Sequence, residues 1–364
     1  MKQYKVIQYA TGVTGKLAIK AMADHPELKL VGLLVHDPQK IGKDAGEIAG
    51  LDKPLGVIAT DSLEEILNLD ADAVSYMGMY PDMDKICAML ESGKHVAMTS
   101  GLTFAPYLGP QVVARLEAAC MKGGVTVFGG GISPGYVQTI APISLTSLAT
   151  RVDKILIEEF CDFTELDCTA ELMCDMLGLS RTLDDVQQNK HPQFDTMMPQ
   201  FFNQTVAMIA DAVKLKLDRT EAEIKHYVTN IGGSMLCKPL VPPGTVGGVR
   251  STFSGFVGDT AKIVVRLNWS CAPDLGPDWF KPNELSNSTQ WKIIVEGDPS
   301  MRLTFEQADS ILNPQPGQKK KIKHSYVIAV MNVLHAIPYL CEQTEPGIRH
   351  HANMPLMAGR YTMR

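Results

Sequence analysis

At 364 residues the chain exceeds one average domain and suits two, at about 100 to 200 residues each. Apolar residues at 45% and charged residues at 20% match ordinary globular proteins and exclude an intrinsically disordered chain. The net charge of −6, with no basic block longer than Lys319–Lys321, argues against a nucleic-acid partner; the start MKQYKVIQYA has no export-signal pattern and no apolar run reaches the about 18 residues of a span, so a cytoplasmic protein with no membrane partner is expected.

Residues 4–10 (YKVIQYA) predict a short apolar strand, 11–15 (TGVTG) a glycine-containing turn, and 16–25 (KLAIKAMADH) a helix. The alternation continues with a strand at 28–36, a helix near 62–68, a strand at 71–78, a helix at 83–93, a strand at 95–100 (HVAMTS), a helix at 110–124 and a strand at 125–131 (VTVFGGG). A parallel crossover needs about a dozen residues or more, so this rhythm predicts a doubly wound α/β domain over residues 1–142. Beyond it, 152–163 (VDKILIEEFCDF) predicts a strand, and a polar, Met-rich, helical region runs to about 229. From 245 onward period-two alternation between Gly, Pro and Asp turns suggests an antiparallel sheet, making 143–323 an α+β domain. The segment 325–342 (SYVIAVMNVLHAIPYLCE) has helical spacing and opens a last region, 324–364.

The informative motif is the turn Thr11-Gly12-Val13-Thr14-Gly15 between the first strand and first helix. Small residues there let a pyrophosphate approach the free N–H groups and positive end of a helix. The first glycine of the usual GxGxxG is absent, Tyr9 or Ala10 standing in its place, but the strand–turn–helix context is the one a Rossmann dinucleotide site requires. The second strand ends at His36-Asp37: His36, Lys40 and Lys43 suit a 2′-phosphate and Asp37 a free ribose diol, so NADP is slightly favoured over NAD. Met77-Gly78, Thr99-Ser100-Gly101 and the run from Gly129 to Gly135, which holds Gly131, Ser133 and Pro134, close the later strands and should border a nicotinamide, because open α/β sheets bind ligands beyond the carboxyl ends of their strands.

For acid–base work the candidates are Glu158, Glu159 and Asp162, on or after the first strand of the second domain. Neighbouring strand residues point to opposite faces, so at most one glutamate lines a cleft, and Glu159 is carried forward. Phe201, Phe202, Phe253, Phe256 and Trp269 offer either pocket walls or core. Eight cysteines without a CxxC pair suit reduced, mostly buried thiols, and His350-His351 lack ligand spacing, so no metal site is expected.

Taken in order, VIQYATGVTGKLAIKAM, HDPQKIGKDAGEIAG, GGGISPGYVQTIAP, EEFCDFTELD, LGPDW with WKIIVEGDPS, and HAIPYLCEQTEPGIR resemble the dihydrodipicolinate reductase-like NAD(P)-binding proteins, within them the 2,4-diaminopentanoate dehydrogenase and native amine dehydrogenase group. The resemblance spans nearly the whole chain. It implies an N-terminal Rossmann domain, an inserted α+β domain carrying substrate pocket and dimer contact, and a C-terminal helix returning to the first domain. It also implies a homodimer and reduction of a C=N or C=O bond with NAD(P)H. The group's glutamate close after the strand matching HVAMTS is missing, the stretch reading Ser100-Gly101-Leu102-Thr103-Phe104. Ser133 and His335 stand where the group more often shows Asn, and they join Glu159 as catalytic candidates. Three readings follow: an amine dehydrogenase-like enzyme on a small, mostly apolar carbonyl compound or its amine, an alcohol dehydrogenase or ketone reductase on the same scaffold, and a catalytically silent NAD(P) sensor.

Overall fold

A computed structural model describes residues 2–99, 101–164, 166–189, 191–276, 279, 289–313 and 324–363; Ser100 and the Lys319–Lys321 run lie outside them. The chain divides into two compact units, Met1–Tyr136 with Tyr326–Arg364, and Val137–Ser325.

The first unit begins with β1 (Tyr4–Tyr9), α1 (Val13–Ala23), β2 (Leu28–Leu34), α2 (Ala45–Ala49), β3 (Ala59–Thr60), α3 (Leu63–Asn68), β4 (Ala73–Tyr76), α4 (Met83–Glu91), β5 (His95–Met98), α5 (Pro110–Gly123) and β6 (Thr126–Gly129). Local chemistry sets many of the ends. Asp44, Ser62 and Asp82 accept backbone N–H groups as N-caps of α2, α3 and α4, while α5 opens on Pro110 and stops at Gly124, whose φ of 67° suits glycine. β4 is buried along its length, as a central parallel strand covered on both faces must be.

The second unit contains α6 (Ile140–Thr146), β7 (Arg151–Asp162), a π-helical turn (Glu171–Met176), α7 (Leu183–Gln188), α8 (Pro192–Ala212), β8 (Arg219–Val228), β9 (Gly233–Met235), β10 (Lys238–Val241), β11 (Val246–Val257), β12 (Thr260–Ser270), β13 (Thr289–Asp298) and β14 (Met301–Glu306). Its sheet runs β14-β13-β7-β12-β11-β8. Two expectations need correction. β8 lies inside the region expected to be helical; it is the edge strand, and its outward Arg219, Glu221, Glu223 and Lys225 hide the strand pattern under charge. The sheet is mixed rather than antiparallel, because β7 sits at its centre parallel to β12 and antiparallel to β13, a long-range pairing that local alternation does not encode. α8 covers β11, β12 and β8: Phe202 stacks on Phe253 at 5.0 Å, and a Cβ on Gly255 would come within 2.7 Å of Val206. The contacts pass to the second unit at residue 137, before the expected boundary at 142, since α6 packs on β7 and β13.

The chain returns to the first unit with α9 (His324–Cys341) and β15 (Gly347–Arg349). The sheet is then seven-stranded, β15-β6-β5-β4-β1-β2-β3, and β15, absent from the sequence reading, pairs in parallel with β6. α9 is the one helix among the described residues with the length and hydropathy to cross a membrane. Its apolar residues are spent otherwise: Val330, Val333, Leu334, Ile337 and Leu340 are buried against Tyr4, Val6, Ala97 and Phe128, which makes it a core helix of this unit.

Candidate functional site

Parallel register brings the carboxyl ends of five strands into one row, Leu34 beside Tyr9, Tyr9 beside Tyr76, Tyr76 beside Met98 and Met98 beside Gly129. The residues that follow each of these therefore share one edge of the sheet: His36, the turn from Ala10 to Gly15, Gly78, Thr99 and Gly131. This edge is where doubly wound sheets hold their ligands.

The β1–α1 turn is built for close approach. Gly12 is the N-cap of α1 with φ −68° and ψ −165°, and no side chain caps the helix. The Lys16 amide is the first to find an intrahelical carbonyl, that of Gly12 at 3.0 Å, so the amides of Val13, Thr14 and Gly15 precede the helical ladder and remain as donors for an anion. A Cβ on Gly12 would meet nothing within 4 Å, whereas one on Gly15 would fall 2.2 Å from the Ala10 carbonyl oxygen. The first glycine thus faces open space and the second lets helix and strand touch. The missing fingerprint glycine is accounted for by Ala10, which holds φ 69°, a left-handed conformation costing about 1 kcal/mol for alanine. Gln8 supports it: its amide nitrogen donates to the carbonyls of Tyr9 at 2.9 Å and Ala10 at 3.0 Å. Thr11 is buried beside the turn.

At the β2 end His36 stands edge-on to Tyr9 at 5.1 Å, and Tyr9 stacks on Tyr76 at 4.1 Å. Desolvation against this wall, then the Lys85 ammonium, lowers the His36 pKa, with Asp82 opposing. Asp37 is engaged in its own turn, accepting the Gln39 amide at 3.0 Å and pairing with Lys40 at 3.5 Å. Across the edge, Gly101 and Gly131 hold φ 78° and 106°, Pro134 is buried and Ser133 is half-buried. Met77 departs from its expected place: it is buried in the core cluster that α9 joins, and only its backbone follows the edge. The amides of Val13, Thr14 and Gly15 and the open face of Gly12 lie on the same sheet edge as Gly78, Thr99 and Gly131, an arrangement with the chemistry to receive an elongated anionic ligand.

No protein-family model matches the chain. An amine dehydrogenase of Streptomyces virginiae is 28% identical over 357 residues, 96% of each chain. The 2,4-diaminopentanoate dehydrogenase of Acetoanaerobium sticklandii is 22% identical over 195 residues, 53% of this chain and 51% of that one. Over nearly its whole length the chain is similar to amine dehydrogenases, and over a shorter stretch to 4-hydroxy-tetrahydrodipicolinate reductases, one from Nostoc sp. being 44% identical over 62 residues, 17% of this chain and 22% of that one. A solved amine dehydrogenase of Mycobacterium smegmatis has the same fold, with a TM-score of 0.76 at 17% identity over 98% of this chain and 97% of that one.

Against this family the departure after β5 has a structural form. Leu102, Thr103, Phe104 and Ala105 are buried, and the Leu102 carbonyl oxygen would lie 1.8 Å from a Cβ on Gly129. The stretch where amine dehydrogenases are expected to carry an acid is packed into the protein instead.

The three sequence candidates for catalysis separate. Glu159 is buried in the second unit, one carboxylate oxygen accepting the Trp269 indole N–H at 2.8 Å, the other the Trp291 indole at 2.8 Å and the Gln138 amide at 3.2 Å. Such a carboxylate is spoken for and acts as an anchor of the sheet rather than a base. Its neighbours are likewise engaged, Glu158 with Arg266 at 3.1 Å and Asp162 with the Thr164 amide at 2.9 Å. His335 leaves the ligand edge altogether: it lies 5.7 Å from His25, which precedes β2 and so belongs to the amino ends of the strands, and burial depresses its pKa. Ser133 alone remains on the glycine-rich edge.

Of the cysteines, all eight are free, four buried and four half-buried, fewer buried than expected. Among the described residues no group of three or more His, Cys, Asp or Glu side chains is placed to hold a metal ion. The second unit contains a cavity of about 500 Å³ whose polar lining includes Asp175, Arg181, His191, Asp195 and His226. Sequence reasoning missed Gln8, the prop of the turn, and two residues that meet at the Gly131 amide, Asn332, whose Oδ1 accepts it at 2.9 Å, and His351, 3.0 Å from the same oxygen. A polar residue in the middle of the apolar run YKVIQYA was a visible signal for the first; the other two depend on contacts across the fold.

Proposed function

We propose that the protein is an NAD(P)H-dependent oxidoreductase of the amine dehydrogenase kind, interconverting a small, mostly apolar ketone or aldehyde and the matching primary amine. The observation that carries the reading is the row of uncapped amides and glycines along one sheet edge, in a chain alike to an amine dehydrogenase over 96% of its length. A bound reduced nicotinamide would supply hydride to the carbonyl-derived carbon, with ammonia as the source of nitrogen and the displaced oxygen leaving as water. The chain's own part is to bind and orient: the α1 amides hold the pyrophosphate, Gly131, where a Cβ would meet nothing nearer than 3.5 Å, leaves room for a flat ring, and Ser133 is the hydroxyl we place beside the reacting group.

We favour NADP over NAD, because Asp37 is occupied within its own turn while His36, Lys40 and Lys85 stand near the β2 end. We place the enzyme in the cytoplasm, which suits eight free cysteines, and expect a homodimer, as the family resemblance implies. Size-exclusion chromatography with light scattering checks the dimer.

The buried, acid-free Leu102–Ala105 stretch supports a second reading, a carbonyl reductase that needs no ammonia. One assay separates the two: oxidation of NADPH and NADH with a panel of aliphatic and cyclic carbonyl compounds, each with and without ammonium. Turnover that requires ammonium is expected; turnover indifferent to it would replace the first reading by the second, and binding without any turnover would leave a nicotinamide sensor. Ser133→Ala should lower kcat by about 100-fold with cofactor affinity unchanged, as loss of a donor at the reacting group does; an unaltered kcat would remove Ser133 from the site.

A further inference from the structure

One side chain on the ligand edge comes from the far end of the sequence. Asn332, in α9, accepts the Gly131 amide N–H at its Oδ1 at 2.9 Å, and the same oxygen lies 3.0 Å from Nε2 of His351. The backbone N–H of Gly131 can only donate, so the amide of Asn332 is oriented without ambiguity. His351 must then carry its proton on Nε2. It is 4% exposed, stands edge-on to Phe128 at 5.1 Å, and burial holds its pKa down at about 3, so it is neutral across the physiological range. Gly130 completes the arrangement, since a Cβ there would fall 2.9 Å from the Asn332 oxygen and 2.5 Å from Phe128.

With both lone pairs of Oδ1 committed, what Asn332 has left is its NH₂ group, which makes no hydrogen bond within the described residues and is not a buried atom. We infer that Asn332 is a hydrogen-bond donor to the carboxamide of the bound nicotinamide ring, and that His351 is a positioning residue that keeps this amide turned outward. A purely structural asparagine at this place has no need to keep its two donors unused beside the glycines of β6. A buried, neutral imidazole whose Nδ1 finds no partner is also an expensive way to hold a side chain that does nothing else. The inference rests on the nicotinamide reading proposed above.

The test compares two ligands on the intact chain: the reduced cofactor, NADPH or NADH, and the matching ADP-ribose or 2′-phospho-ADP-ribose, which lacks the nicotinamide. Affinities are measured by fluorescence titration and calorimetry. In Asn332→Asp the side chain keeps its shape and the oxygen facing Gly131 but loses the donor; about a tenfold loss of reduced-cofactor affinity is expected, with ADP-ribose affinity kept within about twofold. His351→Gln should move the same ratio in the same direction by a smaller factor, through the loosened orientation of Asn332. Equal affinity of Asn332→Asp and the unaltered protein for the reduced cofactor would overturn the inference, as would an equal loss for both ligands, which marks a structural role. Should the unaltered chain bind neither ligand, the cofactor reading itself falls, an outcome distinct from the other two. If Asn332→Asp does not fold, the His351→Gln ratio decides alone, an unchanged ratio counting against the inference.

Discussion

At the scale of single residues, the two glycines of the β1–α1 turn serve different purposes and should fail differently. Gly12→Asp places its side chain in open space, so the fold should survive with an unaltered melting temperature while the carboxylate repels the pyrophosphate and cofactor titration shows no binding. Gly15→Asp drives a Cβ against the Ala10 carbonyl, so it should lose both binding and a large part of the stability of the first unit. Two variants with the same stability would mean that the turn is not the helix–strand contact described. The glycines could be picked from the sequence because turn chemistry is local. The strained Ala10 with its Gln8 prop could not, since φ 69° at an alanine is imposed by surrounding structure rather than preferred by it. Glu159, a catalytic candidate by sequence, is held between two indole N–H groups in the structure. Its Gln variant should destabilise the second unit by about 3 kcal/mol, because an amide N–H would face an indole N–H that has no other acceptor. Chemical denaturation followed by tryptophan fluorescence reads this directly, and a neutral substitution would show that the indoles do not depend on the carboxylate.

Among elements, α9 illustrates how far periodicity reaches. Its helical spacing was plain in the sequence, but the partner of its buried stripe was not, and neither was β15, a three-residue strand too short to alternate. The charged β8 failed for the converse reason, since an edge strand protects itself with polar residues that mask its type. Beyond α9 the tail is fastened by Glu342, which accepts both Arg360 guanidinium nitrogens at 2.8 Å and the Tyr4 hydroxyl at 2.9 Å. The Arg360 bond, then the Tyr4 bond, outweighs desolvation and holds the Glu342 pKa down to about 2. A carboxylate depressed on folding contributes stability that is present above its unfolded value near pH 4.5 and is lost as pH falls toward 2. The carboxylate is 44% exposed, so the contribution at neutral pH is about 1 kcal/mol or less. Glu342→Gln should therefore melt slightly lower at pH 7 and converge with the unaltered protein in acid; a constant gap at every pH would exclude the ion pair as its source.

For the molecule as a whole, acid sensitivity should begin well above the carboxylate range. His95, between β4 and β6, accepts the Thr126 amide at Nδ1 at 3.1 Å, and burial lowers its pKa to about 4. Between that value and the unfolded value near 6.5 only the unfolded chain takes up the proton, so stability is full above pH 6.5 and falls as pH drops toward 4, by up to about 3 kcal/mol. Unfolding free energies measured from pH 7 to 4 should show this slope on top of that from the likewise depressed His351, and His95→Gln should make it shallower without abolishing it; a slope unchanged by the substitution would place the proton uptake elsewhere.

The seven-stranded sheet also sets an order of events during synthesis. Its β6 edge is closed by β15 and its inner face is filled by α9, yet both lie after the last residue of the second unit. A nascent chain that has emerged to residue 325 therefore carries a complete second unit but a first unit with an open strand edge and an uncovered patch around Tyr4, Val6 and Phe128. The carboxyl edge of the sheet, where Asn332 meets Gly131, is assembled only once the ribosome has delivered residues 326–349, so a product terminated before them should present itself to chaperones as an unfinished sheet.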